Sequence, residues 1–157
     1  MRTNILQYLE ETAARVPEKV SFSDGKDSVT FAELYRGARA IGSFLAESSC
    51  RRRAVAVLMD KHPHAIVTFM GIIYSGAYYV ALDAQMPSLR MQMIIDTINP
   101  AFIITDENLR VISHHLIPNE VISSPEKLHR VLNRMAEDNT PIVVKFWWTN
   151  AHNHIIF

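Results

Sequence analysis

Tyr74-Ser75-Gly76-Ala77-Tyr78-Tyr79-Val80-Ala81-Leu82-Asp83-Ala84-Gln85-Met86-Pro87-Ser88-Leu89-Arg90 decides how the chain is read, because its pattern changes three times within one short stretch. A helix ends at Gly76, where a helix C-terminus calls for a positive backbone angle that glycine takes without a Cβ clash. An uninterrupted apolar run of strand length follows, Ala77 to Leu82. Pro87 then opens another helix, at a first-turn position where its missing N–H costs nothing. Helix, apolar strand and helix in succession are the pattern of a parallel sheet covered by helices.

Outward from this stretch the same alternation continues. Upstream, Pro63 to Tyr74 reads as the helix and Arg53 to Met59 as the strand before it. Downstream, the helix from Pro87 runs to Ile98, Asn99-Pro100 marks its exit, and Ala101 to Thr105 and Glu120 to Ile122 are further strands. Ser124 caps a last helix over Pro125, with Leu128, Val131, Leu132 and Met135 as its buried side. At the other end Asn4 caps a helix, with Gln7 returning to its backbone, and Ile5, Tyr8, Leu9 and Val16 fall on one side until Pro17. Val20 to Ser23 and Ser28 to Thr30 flank the turn pair Asp24-Gly25, which suits a short hairpin. Thr30-Phe31-Ala32-Glu33 has capping-box spacing, and Phe31, Leu34, Tyr35, Ala38, Ile41 and Leu45 continue it as an apolar helical stripe. The expected class is α/β, with a mostly parallel, doubly wound sheet flanked by helices.

With 157 residues, 48% of them hydrophobic, the chain suits one domain with a real core. Sixteen basic residues balance 16 acidic ones, so no net field draws the molecule to nucleic acid or an anionic membrane. The one basic cluster, Arg51-Arg52-Arg53, reads as a solvated loop. Cys50 stands alone, which excludes an internal disulfide and points to a reducing, cytoplasmic setting. The start of the chain carries Glu10 and Glu11 where an export signal would have an apolar core. The greasiest region, Met70 to Leu82, is interrupted by Ser75 and Gly76 and is shorter than a bilayer span.

Thr30-Phe31-Ala32-Glu33-Leu34, the strand Arg53-Ala54-Val55-Ala56-Val57-Leu58, the Tyr79 to Arg90 run and Ile98-Asn99-Pro100-Ala101-Phe102-Ile103-Ile104-Thr105-Asp106 follow one another in an informative order. That order resembles the opening of the adenylate-forming (AMP-binding) ligases, nearest to peptide-synthetase adenylation domains and D-alanine carrier-protein ligases. The resemblance runs from Asn4 to Asp106 and on to Ile142. Ala84 stands where those enzymes commonly have proline, Met86 where they have an aromatic, and Ser48 to Arg52 lacks their glycine. The resemblance implies a partial N-terminal subdomain of the adenylate-forming fold. It carries Thr30, Glu33, Gly76, Asp83, Pro87 and Arg90 over as architecture, and assigns no catalytic, cofactor-binding or metal residue.

In the family resembled, a carboxylate attacks the α-phosphate of ATP to give an acyl-adenylate and pyrophosphate, and a carrier thiol then takes the acyl group. Holding the phosphates calls for closely approaching backbone amides, a lysine and magnesium. No glycine follows Gly76. ATP and magnesium therefore belong to the full-length family, and no cofactor is expected for this chain. The expected division is a truncated adenylation-type subdomain over residues 1–141 and a non-matching tail over 142–157 that reads as translated non-coding sequence. The implied partners are the remainder of an adenylating enzyme or a carrier-protein system, docking at a sheet edge near Ile142, with no nucleic acid and no membrane.

Other residues suit plainer roles. His62-Pro63-His64, His114-His115 and His152-Asn153-His154 lack accompanying ligands at a known metal spacing, and Pro63 is expected to turn its flanking pair apart. Tyr74, Tyr78 and Tyr79 suit a core better than a base pocket. Asp83 lies at a strand's carboxyl end, where open parallel sheets bind ligands. Arg90 suits a surface ion pair. The alternative function is a non-catalytic α/β interaction module. A small nucleotide-binding protein of another family would need a glycine-rich phosphate loop, which the sequence lacks.

Overall fold

The computed structural model describes residues 4–47 and 50–105 in full, and beyond them the backbone of four short strands. It divides into two compact units, Met1–Arg51 with Lys61–Ala77, and Arg52–Asp60 with Tyr78–Phe157.

The first unit opens with helix α1 (Ile5–Arg15), capped by the Asn4 side chain, which accepts from the Leu6 N–H at 3.0 Å. Only Leu9 and Ala13 of α1 are buried. Ile5 and Tyr8 are each 52% exposed, so the expected stripe is wrong at its upper end. One helical row, a residue and the fourth after it, is all that a short surface helix lays on its neighbours. Strands β1 (Val20–Ser23) and β2 (Ser28–Thr30) form the antiparallel hairpin read from the sequence. Its turn is held by Asp24, whose Oδ1 accepts from the Lys26 and Asp27 N–H groups, both at 2.8 Å.

Helix α2 (Phe31–Glu47) buries Leu34, Ala38, Ile41 and Leu45 of the expected stripe, together with Gly37, Gly42 and Phe44. It packs on α3 (Pro63–Tyr74) at two glycines. A Cβ added at Gly42 would meet Tyr74 Cβ at 2.5 Å, and one at Gly71 would meet Ile41 Cβ and Cγ2 at 2.6 Å. Each glycine thus admits the other helix's side chain against its backbone, closer than any residue with a Cβ would allow. Pro63 opens α3, and the His62 side chain caps it by accepting from the His64 N–H at 3.2 Å. After α3, Gly76 takes φ +79° and its N–H donates to the Ile73 carbonyl at 3.0 Å, as the helix exit requires.

The second unit holds a five-stranded sheet of β3 (Ala54–Leu58), β4 (Tyr78–Leu82), β5 (Phe102–Thr105), β6 (Val121–Ile122) and β7 (Ile142–Lys145), in the order β4-β3-β5-β7-β6. All four pairings are parallel. β3 and β5 are buried at every residue, as uninterrupted apolar runs of strand length should be. Helix α4 (Ser88–Ile98) covers the sheet with Met91 and Ile95, which form a core with Ala56, Leu58, Leu82 and Ile103. It ends at Asn99 in the left-handed conformation, φ 41°, whose N–H donates to the Ile95 carbonyl at 2.9 Å. The Ala101 N–H then donates to the Ala54 carbonyl at 2.8 Å and aligns β5 on β3. The architecture is the expected α/β one, with a parallel sheet and helices between its strands.

Two expectations about strands are corrected. β4 is not buried on both faces, and among the described residues it ends the sheet order. β7 is not an edge either: it lies between β5 and β6, so Ile142 offers no docking border. Trp147–Trp148 (β8) pairs antiparallel with Ile155–Ile156 (β9). The expected helix over Pro125 lies outside the described residues.

Candidate functional site

The six residues singled out in the sequence fall into two groups, one in each unit. In the first, Thr30 and Glu33 cap α2 reciprocally. Glu33 Oε2 accepts from the Thr30 N–H at 2.8 Å and its Oγ1–H at 3.1 Å, while Thr30 Oγ1 accepts from the Glu33 N–H at 3.2 Å. A carboxylate held this way stabilises the positive helix end and is committed to it. Gly76 closes α3, with Arg51 Cγ 3.1 Å from where a Cβ would sit.

In the second unit Asp83, Pro87 and Arg90 build the passage from β4 to α4. Asp83 Oδ1 accepts from the Gln85 N–H at 2.9 Å and its carbonyl from the Met86 N–H at 3.0 Å. That turn hands the chain to Pro87, at φ −53° and ψ 134°, whose carbonyl accepts from the Met91 N–H at 3.1 Å. Arg90 is exposed on α4, and among the described residues no ion pair engages it. These residues shape a turn and do not converge on a reacting atom.

The place the topology favours for a ligand lies beside them. The register carries Leu82, Leu58, Thr105 and Lys145 across the carboxyl ends of β4, β3, β5 and β7 in one row. The chain leaves β3 toward β4 on one side, while β5 is followed by strands on the other. Connections that diverge in this way open a crevice between adjacent carboxyl ends, here those of β3 and β5. Met59 and Asp60 lead out of β3 at that point, and Thr105 closes β5 with 1% of its surface exposed. Thr105 is buried and both it and Asp60 have partners of their own, and neither supplies positive charge for phosphate. Among the described residues no group of three or more histidine, cysteine, aspartate or glutamate side chains could hold a metal ion.

The histidines and tyrosines depart from expectation. Pro63 does not turn His62 and His64 apart: their rings meet edge to face at 5.3 Å, because the cap bends His62 back over the helix start. Burial holds the His64 imidazole below its ordinary pKa, and the neighbouring His62 adds to the effect. His114, His115, His152 and His154 lie outside the described residues. Tyr78 and Tyr79, expected in the core, are 52% and 41% exposed on the outermost strand. Tyr74 is half-buried and donates to Glu10 Oε1 at 2.9 Å. Burial and that bond hold its phenol well above the usual range. Cys50 is fully buried, and its thiol donates to the Leu45 carbonyl at 2.9 Å, which suits packing and not nucleophilic work.

Two features escaped the sequence reading. The His62 cap has no strong composition signal, since histidine is an uncommon cap. The Gly42 and Gly71 contact had one: each glycine stands inside an apolar helix, where glycine costs about 1 kcal/mol against alanine unless packing needs it.

Residues 9–153 match the family described as AMP-binding enzyme. The NRPS-like oxidoreductase fscA of Fusarium equiseti is 31% identical over 110 residues, 69% of this chain and 11% of that protein. Tyrocidine synthase 3 of Brevibacillus parabrevis is 27% identical over 107 residues, 68% of this chain and 2% of that protein. The D-alanine–D-alanyl carrier protein ligase of Listeria innocua is 30% identical over 111 residues, 69% of this chain and 22% of that protein. The chain therefore spans less than a quarter of the length of each of these curated relatives. Among solved structures, a nonribosomal peptide synthetase with α-methyl-L-serine-AMP bound superposes with a TM-score of 0.64 at 26% identity, over 69% of this chain and 12% of that one. VinN superposes with a TM-score of 0.68 at 18% identity, over 88% of this chain and 37% of that one, and so shares the fold.

Proposed function

The chain belongs to the AMP-binding enzyme family, and we propose that it is the scaffold portion of an amino-acid-type adenylating domain, unable to form an adenylate by itself. The parent reaction would be ATP-dependent activation of a carboxylic or amino acid to an acyl-adenylate, followed by thioester formation on a carrier. The names of the peptide synthetases and the carrier-protein ligase among its relatives support that reaction class. One observation carries the proposal of inactivity: no glycine follows Gly76 anywhere in the sequence. Without glycine, backbone amides cannot close on a triphosphate as the charge on its oxygens requires.

In this reading the residues carried over from the family have positioning roles. Thr30 and Glu33 fix the start of α2, and Asp83 and Pro87 fix the turn that sets α4 against the sheet. ATP and magnesium would be held by residues this chain does not contribute. The work done by Cys50 is burial, which fits a reducing, cytoplasmic setting. Calorimetric titration of magnesium-ATP into the purified chain tests the proposal. No saturable heat at millimolar nucleotide is expected, and magnesium-dependent saturable binding would overturn it.

The exposed aromatic strand β4 favours a second reading, in which the same fold serves as a non-catalytic interaction module. It differs in one measurable respect: such a module associates with a partner whether or not nucleotide is present.

A further inference from the structure

The first turn of α3 depends on a bond that protonation would break. Its first residue is Pro63, which has no N–H, and the Ala65 N–H donates to the His62 carbonyl at 3.0 Å. Between them the His64 N–H donates to Nδ1 of the His62 ring at 3.2 Å. An imidazole nitrogen accepts only while it carries a lone pair, so the cap needs a neutral ring with its proton on Nε2. Protonated at Nδ1, the ring becomes a donor facing a donor, and its charge sits at the positive end of a helix. The asparagine, aspartate, serine and threonine usual at a cap do not change charge between about pH 5 and pH 8, where histidine does.

The charged groups around the cap decide where a displaced ring goes. The hairpin turn brings Asp24 and Asp27, α2 brings Glu33, and α3 itself brings His64, whose ring meets that of His62 edge to face at 5.3 Å. Asp60 and Lys61 precede His62 in the chain, and Lys26 lies in the hairpin turn. α1 sends Glu10 to Tyr74, at the other end of α3. Glu33 is committed to Thr30. The amides of Asp27 and Lys26 hold the Asp24 carboxyl below its ordinary pKa and His62 lowers it further, so it stays an anion where histidine charges. Burial, and after it His62, disfavours a charge on His64. We propose that His62 is a proton-operated latch at the start of α3: the neutral ring caps the helix, and the imidazolium leaves the cap for the Asp24 carboxylate and lets the first turn open. The opened residues, Pro63 to Ala65, would then join Met59 to His62 in one longer connection out of β3.

Amide exchange at His64 and Ala65 in the full chain, followed by NMR and divided by the intrinsic rate at each pH, tests the latch. Between pH 7.5 and pH 5.5 their protection should fall by about tenfold, the worth of a typical helix cap, while that of Ile41 in α2 falls less. His62→Asn supplies a cap that does not titrate and should keep the protection at both values; His62→Ala should lack it at both. Asp24→Asn removes the carboxylate that receives the cation and should move the loss to lower pH, and an unmoved loss would overturn the role of Asp24. Ring nitrogen shifts of the parent should place the His62 proton on Nε2 at pH 7.5 and on both nitrogens once the protection is lost. A His62→Asn chain as acid-sensitive at these two amides as the parent, protection in the parent that does not change with pH, or a proton on Nδ1 at pH 7.5 would each overturn the latch.

Discussion

Replacing Gly71 or Gly42 by alanine should destabilise the first unit, although alanine is the better helix former. The two effects have opposite signs and can be weighed. Relieving glycine inside a helix is worth about 1 kcal/mol. Against that, the new methyl at position 71 would lie 2.6 Å from two carbons of Ile41 and 3.0 Å from the Ala38 carbonyl, and the one at position 42 would lie 2.5 Å from Tyr74 Cβ. Carbon atoms rest at roughly 3.5–4.0 Å, so the helices must part by about 1 Å. The opposing Cβ atoms of Ile41 and Tyr74 cannot swing away, because Cβ moves only with its backbone. Parting the helices opens the contact around Ala38, Ile41, Leu45 and Ile72, all at 0% exposure. Forced overpacking costs about 1–3 kcal/mol, and a clash anchored in backbone belongs at the upper end. The net loss is about 2 kcal/mol for either substitution. Urea unfolding followed by far-ultraviolet circular dichroism should show the midpoint falling by about 1 M, for an m-value near 2 kcal/mol per molar. The double variant should lose less than the sum, since one separation relieves both clashes. A Gly42→Ala or Gly71→Ala protein as stable as the parent would refute the packing argument.

Three further outcomes are expected. Glu33→Ala removes the acceptor for the Thr30 N–H and hydroxyl, and should cost about 1 kcal/mol, or about 3 °C in the thermal midpoint; an unshifted midpoint would deny the cap its role. Arg52 adopts φ 61° without being glycine. Arg52→Gly should therefore gain roughly 0.5 kcal/mol, the left-handed strain relieved less the added freedom of the unfolded chain; destabilisation in urea would contradict this. The folded pKa of His64 lies below its ordinary value because burial disfavours the cation. The unfolded state then binds more protons, so this contribution is full above about pH 6.5 and is lost as pH falls through that value toward the folded pKa. The parent should lose more stability than His64→Gln between pH 7.5 and pH 5.5, and identical losses would remove His64 from the account.

Strand and helix positions were legible because punctuation and pattern agreed locally: Gly76, Pro87 and Asn99 mark exits and entries that the backbone takes as expected. The capping box was legible for the same reason, since both partners lie within one turn. Burial of β4 was not. An apolar run such as Tyr78 to Leu82 reads the same whether a strand is central or outermost, and that depends on pairings between distant parts of the chain. Tyr78 and Tyr79 were assigned to a core for this reason and stand exposed instead. Ile142 shows the converse, a strand taken for an edge that pairs on both sides. At the candidate site, sequence identified Asp83 at a strand end but could not foresee that its carboxylate is spent on its own turn, 2.9 Å from the Gln85 N–H. Nor could it place Asp60 and Thr105 near the crevice, because register across β3 and β5 decides that.

Whether this family scaffold adenylates alone is decided by amino-acid-dependent exchange of radiolabelled pyrophosphate into ATP, run with magnesium and each proteinogenic amino acid in turn. Exchange no faster than in blanks without protein is expected. Exchange that depends on one amino acid and on magnesium, and that rises with the amount of chain, would contradict it.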